Sequence, residues 1–292
     1  MPLDCKGHVA SPRDKAMQIR TSVGPAPNLG KRCLWAVVGL CLWAGQVSAQ
    51  SVSCKSLVAT GNPEYTPYLW RDPTDETRLI GANADLMQLL SKEIGLPIEV
   101  KYQGSWARVQ EQAKNGRVDL IAGAFFTLPR LEYMDYFYPA FRSTRTVIWT
   151  PAKNTFTYKT WGDLKGRKGL TVINNSFGEA FDRYAKEFLQ IDEVSQLEQA
   201  FRMLGVGRAQ YIVYEEDPGR ALATKLGYDD LKTSSVAVSN EGLHLTLAHQ
   251  SPCNTGEMRG RIAKALHKLT KDNVMKQLVE NNIQRWRQQV GP

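Results

Sequence analysis

The segments SWARVQEQAKNGRVDLIAG (105–123) and SQLEQAFRMLGVGRAQYIVY (195–214) follow one plan: a serine, a helix-forming stretch, a glycine–arginine step, then an apolar run. Trp106 stands as far from Arg117 as Leu197 does from Arg208. A helix followed at once by a short continuous apolar run predicts a strand buried on both faces, hence a largely parallel sheet covered by helices. The preceding segments fit the same alternation. KSLVAT (55–60) and IEVKY (98–102) predict strands. Between them NADLMQLLSKEIGLP predicts a helix capped by Asn83, with Leu86, Leu89, Leu90 and Ile94 on one face and Gly95 and Pro97 at its end. The pattern restarts at GLTVI (169–173), followed by a helix whose Ser176 and Glu179 have capping-box spacing; Ser195 and Glu198 repeat that spacing in the next helix. The fold class expected is α/β, built as two similar lobes.

Two extended segments, 143–154 and 233–250, predict chain crossings between the lobes. Lobe 1 is then expected to comprise 50–143 plus 240–292, and lobe 2 to comprise 144–239. From Gly256 the spacing is helical, with Ile262, Leu266 and Leu269, then Met275, Leu278, Val279 and Ile283, returning the chain to lobe 1.

The formal charge of +8 raises the possibility of a nucleic-acid partner. The N-terminus argues against it. KRCLWAVVGLCLWAGQVSA (31–49) places a Lys31–Arg32 pair before an apolar run and small residues up to Ala49, the order of a secretory signal peptide. Residues 1–49 read as a leader cleaved near Ala49, with Met1 or Met17 as the start. That leader holds six Lys/Arg against two Asp/Glu, so it carries half of the net charge. The rest of the chain is mildly basic without aromatic-interleaved basic clusters, which excludes a nucleic-acid surface. Of five cysteines only Cys54 and Cys253 lie beyond the leader, and two cysteines in an exported chain predict one disulfide.

Motifs for nucleophilic catalysis, phosphate or dinucleotide binding and zinc are missing, so no catalytic residue, metal or cofactor is expected. His244 and His249 have opposite parity along one predicted strand, and His267 lies on a helix, which makes a shared metal site unexpected. Ligands of α/β sheets bind beyond the carboxyl ends of the strands. Arg130 follows the strand VDLIAG, and Glu215 and Glu216 follow AQYIVY, its counterpart. Facing lobes with a cation on one and a carboxylate on the other can read a zwitterion. Position alone is served more plainly by a surface ion pair of Arg130 with Glu132 or Asp135, and by a solvated helix start before Pro218 for the glutamates.

Residues 81–141 weigh against that plainer reading. Gly81 with Asp85–Leu86, Trp106 with Gly116 and Asp119, Thr127 with Arg130, and the closing stretch Phe137–Phe141 resemble, in order and spacing, the first lobe of the family 3 bacterial extracellular solute-binding proteins. The resemblance spans nearly all of residues 55–290 and is weaker in the second lobe. It implies a type II-like periplasmic-binding-protein fold with two crossing hinge segments. It further implies a monomer in the periplasm that takes a small carboxylate-bearing, amino acid-like ligand for an ABC transporter permease. Arg130 would hold the ligand carboxylate, Tyr65 and Trp106 would pack on the ligand, and the Ser176 and Phe177 backbone N–H groups would meet the same carboxylate. Phe125 stands where the family often has Ser or Thr, two residues before Thr127, and Asn62 where binders of basic amino acids often have Asp. The second-lobe acid falls on Glu215 or Glu216, with Glu215 favoured by spacing from Gly207–Arg208. A periplasmic lyase or dehydratase on this fold, with one of these glutamates as acid or base, and a sensor for a membrane kinase are the competing functions.

Overall fold

A computed structural model describes residues 54–290 apart from 155 and 229; the leader and its cleavage site lie outside the described residues. In chain order the elements are β1 (Leu57–Thr60), β2 (Glu64–Tyr65), β3 (Leu69–Arg71), β4 (Leu79–Ile80), α1 (Ala82–Ile94), β5 (Ile98–Val100) and α2 (Trp106–Lys114). Then come β6 (Leu120–Phe125), α3 (Leu128–Leu131), β7 (Met134–Tyr136), β8 (Arg142–Pro151), β9 (Lys168–Val172), α4 (Glu179–Phe188) and β10 (Gln190–Val194). The last are α5 (Leu197–Gly205), β11 (Tyr211–Glu215), α6 (Glu216–Lys225), β12 (Leu231–Thr233), β13 (Ser239–Ala248), α7 (Gly256–Lys271) and α8 (Val274–Val290).

A ten-stranded sheet has the main order β10-β9-β11-β8-β13-β6-β1-β5, with β12 added on β8 and β7 on β13. Its two ends are built alike. At one, β1 lies parallel between β5 and β6; at the other, β9 lies parallel between β10 and β11. Each end thus places its first strand in the centre and its third strand toward the middle of the sheet. The middle is the antiparallel pair β8 and β13, in register from Ser239↔Thr146 to Leu243↔Arg142. These strands carry the chain from one half to the other and back, along the segments expected to cross.

Side-chain alternation explains why each half is covered on both faces. On one face of the first half Leu57, Ala59, Leu120 and Ala122 pack with Leu86 and Leu90 of α1 and with Ile262 and Leu266 of α7. On the other, Ile121 and Ala124 pack with Trp106, Val109 and Ala113 of α2. The second half repeats this arrangement, with Leu170, Ile212 and Tyr214 against α5 and Ile148, Tyr211 and Val213 against Phe177 and Phe181. Cys54 and Cys253 are bonded, joining the approach to β1 to the turn before α7.

Helix starts differ from the expected caps. α1 is capped at Gly81, not Asn83; the Asn83 amide donates instead to Ala122 O of β6 at 2.6 Å. Gly81 has φ 129°, and a Cβ there would lie 2.5 Å from Tyr68 O, so the position is closed to other residues. α4 starts two residues later than a Ser176 cap implies, with Gly178 at its N-cap and no side-chain cap. The Ser176–Glu179 box is absent because Asp182 takes both the Ser176 hydroxyl and the Phe177 N–H. Gln196 precedes α5, and the Ser195 hydroxyl donates to Gln199, so the second box is absent too. β10, with its charged QIDEV sequence, gave no strand signal.

Candidate ligand-binding cleft

The carboxyl ends of β1, β6, β9 and β11 point into one cleft between the halves. They deliver, respectively, the segment 62–65 with Asn62 and, in β2, Tyr65, the segment Thr127–Arg130, the turn Asn174–Gly178 and Glu215. Asn62, Tyr65, Trp106, Phe125, Arg130, Ser176 and Glu215 line a cavity of about 30 Å³, together with Gly123, Ala124, Asn175 and Leu243. Thr127 lines a wider neighbouring groove of about 740 Å³, which shares Arg130, Asn175 and Ser176 with the cavity. Phe177 lines neither; it lies in the second-half core, 6.2 Å from Phe181.

Arg130 is 6% exposed and has no carboxylate within 4.0 Å among the described residues. The surface ion pair with Glu132 or Asp135 is therefore not formed; Asp135 faces His249 and Arg259. The guanidinium donates through Nη1 to Phe125 O (3.0 Å), through Nη2 to Asn174 O (3.1 Å) and through Nε to Gln110 Oε1 (3.3 Å). The Trp106 ring lies 5.3 Å away. A guanidinium carries five N–H donors. Three are held by neutral acceptors and fix the plane of the fork, and the Tyr133 and Tyr136 hydroxyls lie beside it. Neutral acceptors and an aromatic face do not cancel a buried positive charge, so the site is complementary to an anion.

Glu215 closes the opposite wall. It is 4% exposed, and its Oε2 has no hydrogen-bond partner. Burial pushes the carboxyl up to about 7, against the opposing pull of its own backbone N–H, the Arg130 charge and the nearby Tyr65 hydroxyl. Tyr65 Oη is also buried without a partner, and burial holds its proton well above the ordinary range. Glu216 faces away: Arg145 and Arg220 both donate to it and, outweighing its partial burial, hold its carboxyl below the usual range. The Glu215–Glu216 ambiguity is thus resolved geometrically, and the solvated-start reading fails for Glu215.

Several residues at this site carry little signal in the sequence. Gln110 lies one turn beyond Trp106 on the buried face of α2, where a polar residue among apolar neighbours is the available clue. The Asn174 carbonyl accepts from Trp106 Nε1 (3.2 Å), Gln110 Nε2 (3.3 Å) and Arg130 Nη2, so one second-half oxygen gathers three first-half donors. Asn174 sits at φ 61°, which asparagine tolerates better than most residues. On the far rim Leu197 N–H donates to Glu64 Oε2 (3.1 Å) and Tyr68 Oη to Asp217 Oδ2 (2.7 Å). The Ser176 hydroxyl donates to Asp182 and accepts from Gly178 N–H, and Phe177 N–H also goes to Asp182, so the turn is held from behind.

His244 is buried with Nδ1 3.0 Å from Phe137 O, while His249 lies just past the end of β13. A bulge between His244 and Leu245 breaks the simple parity of this strand. Among the described residues no group of His, Cys, Asp or Glu is arranged to hold a metal ion.

The buried proton on Glu215 makes a prediction about stability. The folded chain keeps a proton that the unfolded chain releases near 4.5. Over that interval the native state binds more protons, so this group's contribution to stability falls as pH rises from about 4.5 to about 7. Denaturant midpoints across the interval should show this slope, and Glu215→Gln should flatten it. An unchanged slope in the variant would assign the effect elsewhere.

Solved structures share this architecture. An ancestral arginine-binding protein bound to glutamine matches with a TM-score of 0.65 at 19% identity, over 78% of this chain and 97% of that one. AbpA of Streptococcus pneumoniae, an amino acid ABC transporter substrate-binding protein bound to L-arginine, matches with a TM-score of 0.65 at 16% identity, over 80% and 96%. A histidine kinase sensor domain with similarity to periplasmic binding proteins matches at 0.66 and 20% identity, over 80% and 96%. A probable amino-acid ABC transporter-binding protein of Haemophilus influenzae is 22% identical over 196 residues, 64% of this chain and 72% of its own length. The fold is therefore the two-lobed one of periplasmic binding proteins. The model of the bacterial extracellular solute-binding proteins, family 3, matches residues 57–285, a span that takes in every strand and turn of the cleft, and the chain belongs to that family.

Proposed function

We propose that this protein is a periplasmic receptor that captures an amino acid between its two lobes and delivers it to an ABC transporter permease. The observation that carries the reading is a buried arginine with no carboxylate within 4.0 Å among the described residues, sharing the wall of a small cavity with a buried glutamate. The guanidinium of Arg130 takes the ligand carboxylate. Glu215 takes the ammonium, and the rings of Tyr65 and Trp106 supply apolar contact. Asn62, Phe125 and Ser176 complete the wall, and Thr127 sets the start of the helical turn that carries Arg130. No bond is made or broken. The ligand acts by binding the closed form better than the open one, and the closed monomer is the form presented to the permease.

Calorimetry of the mature chain against the common amino acids and against small carboxylates lacking an amine tests this reading. Amino acids are expected to bind and the amine-free acids to bind far more weakly; equal affinity for both would remove Glu215 from the site. Because an ammonium favours ionised Glu215, binding should also release a proton. Affinity is then expected to rise with pH up to about 7. Titration in buffers of different ionisation enthalpy measures that proton, and Glu215→Gln should abolish its release.

A further inference from the structure

We propose that Glu64 and Glu179 determine how firmly the cleft closes, and so how long a ligand stays, without touching the ligand. This rests on the closure proposed above but not on which ligand is bound. Glu64 lies in β2 of the first half, and its Oε2 accepts from the Leu197 N–H of the second half at 3.1 Å. Glu179 begins α4 of the second half, and its Oε1 accepts from the Leu128 N–H of the first half at 2.6 Å. The two contacts are reciprocal. Leu197 is the first residue of α5 and Leu128 the first of α3, and neither helix has a side-chain cap of its own. The first N–H groups of a helix find no partner within it and take an acceptor from outside. Here each acceptor belongs to the other half, so both carboxylates are in place only while the halves are together. Neither glutamate lines the cavity that Arg130 shares with Glu215. Closure itself makes these contacts, and any widening of the cleft breaks them. The pair is unequal, because Leu197 is fully buried whereas Leu128 is 61% exposed. In a closed chain the loss of Glu64 leaves a buried N–H short of an acceptor, while water replaces Glu179 at little cost. An interaction present only in the closed form raises affinity through the closed-to-open ratio.

The test needs no ligand in its first arm. A nitroxide on the second half of the mature chain relaxes amide protons of the first half in proportion to the population of closed molecules. Glu64→Ala is expected to lower that population by roughly tenfold, and Glu179→Ala by roughly threefold. In the second arm, the common L-amino acid that binds the wild type most tightly is followed by stopped flow. Its release should speed up by the same factors, with its association rate unchanged. Glu64→Gln keeps a side-chain carbonyl acceptor and should recover most of the loss. The thermal midpoint of the ligand-free chain should stay that of the wild type, because the open form makes neither contact. A midpoint lowered in step with the closed population would assign the glutamates to the stability of one half and overturn the inference. So would an unaltered closed population together with unaltered release in both alanine variants. Failure of every amino acid to bind overturns the zwitterion reading instead, and the first arm then decides alone.

Discussion

Replacing Arg130 with alanine is expected to weaken binding of the best amino acid by about 3 kcal/mol or more, on the order of a hundredfold. The wild-type guanidinium is desolvated and held in plane by Phe125 O, Asn174 O and Gln110, so the fork is oriented before a ligand arrives. That preorganisation is why a single side chain carries so much of the affinity. Lysine is a poor replacement, since an ammonium presents no planar fork. The same substitution also removes three hydrogen bonds and leaves their acceptors facing the cleft, so the folded state is checked separately by its thermal midpoint. A folded Arg130→Ala protein with undiminished affinity would remove the arginine from the ligand site, and with it the function proposed.

Loss of the Cys54–Cys253 bridge is expected to have the complementary effect. The bonded residues are 199 apart in sequence, with Cα atoms 5.1 Å apart. In the chain-entropy model a loop of that length is worth about 5 kcal/mol, a sum comparable to a large part of the net stability of an ordinary domain. Cys54→Ser/Cys253→Ser should therefore unfold at markedly lower denaturant concentration. Neither cysteine lines the cleft, so ligand affinity below the transition should remain that of the wild type. A double variant as stable as the oxidised wild type would show that the bridge contributes little beyond the packing of Cys253 in the first-half core.

The α/β alternation, the crossing segments and the pairing of cysteines were legible because they rest on periodicity and on a count, and these survive tertiary packing. The site was legible in part. Arg130 and the 215–216 pair follow buried strands, and the rule that ligands lie beyond strand ends locates them. Which glutamate faces inward was settled by the partners of the other: Arg145 and Arg220 come from β8 and α6 and draw Glu216 away. Phe177 illustrates the reverse: its backbone N–H, expected at the ligand carboxylate, donates to Asp182 Oδ1 at 2.9 Å, an acceptor five residues on that the capping-box spacing does not announce. Gln110 and Asn174 were missed because their roles exist only between the halves. Their partners lie 64 residues apart or have no side-chain signature at all, since the oxygen at the centre belongs to the backbone.

The pairing of β8 with β13 has a consequence for how occupancy is read out. Two adjacent hydrogen-bonded strands are the covalent crossings between the halves, so bending of this pair is the expected relative motion. A single distance between one dye on α2 and one on α4, across the mouth of the cleft, would then report the whole state of the molecule. The binding curve and the distance change should coincide at every ligand concentration, which makes this chain a ready scaffold for a one-coordinate optical sensor.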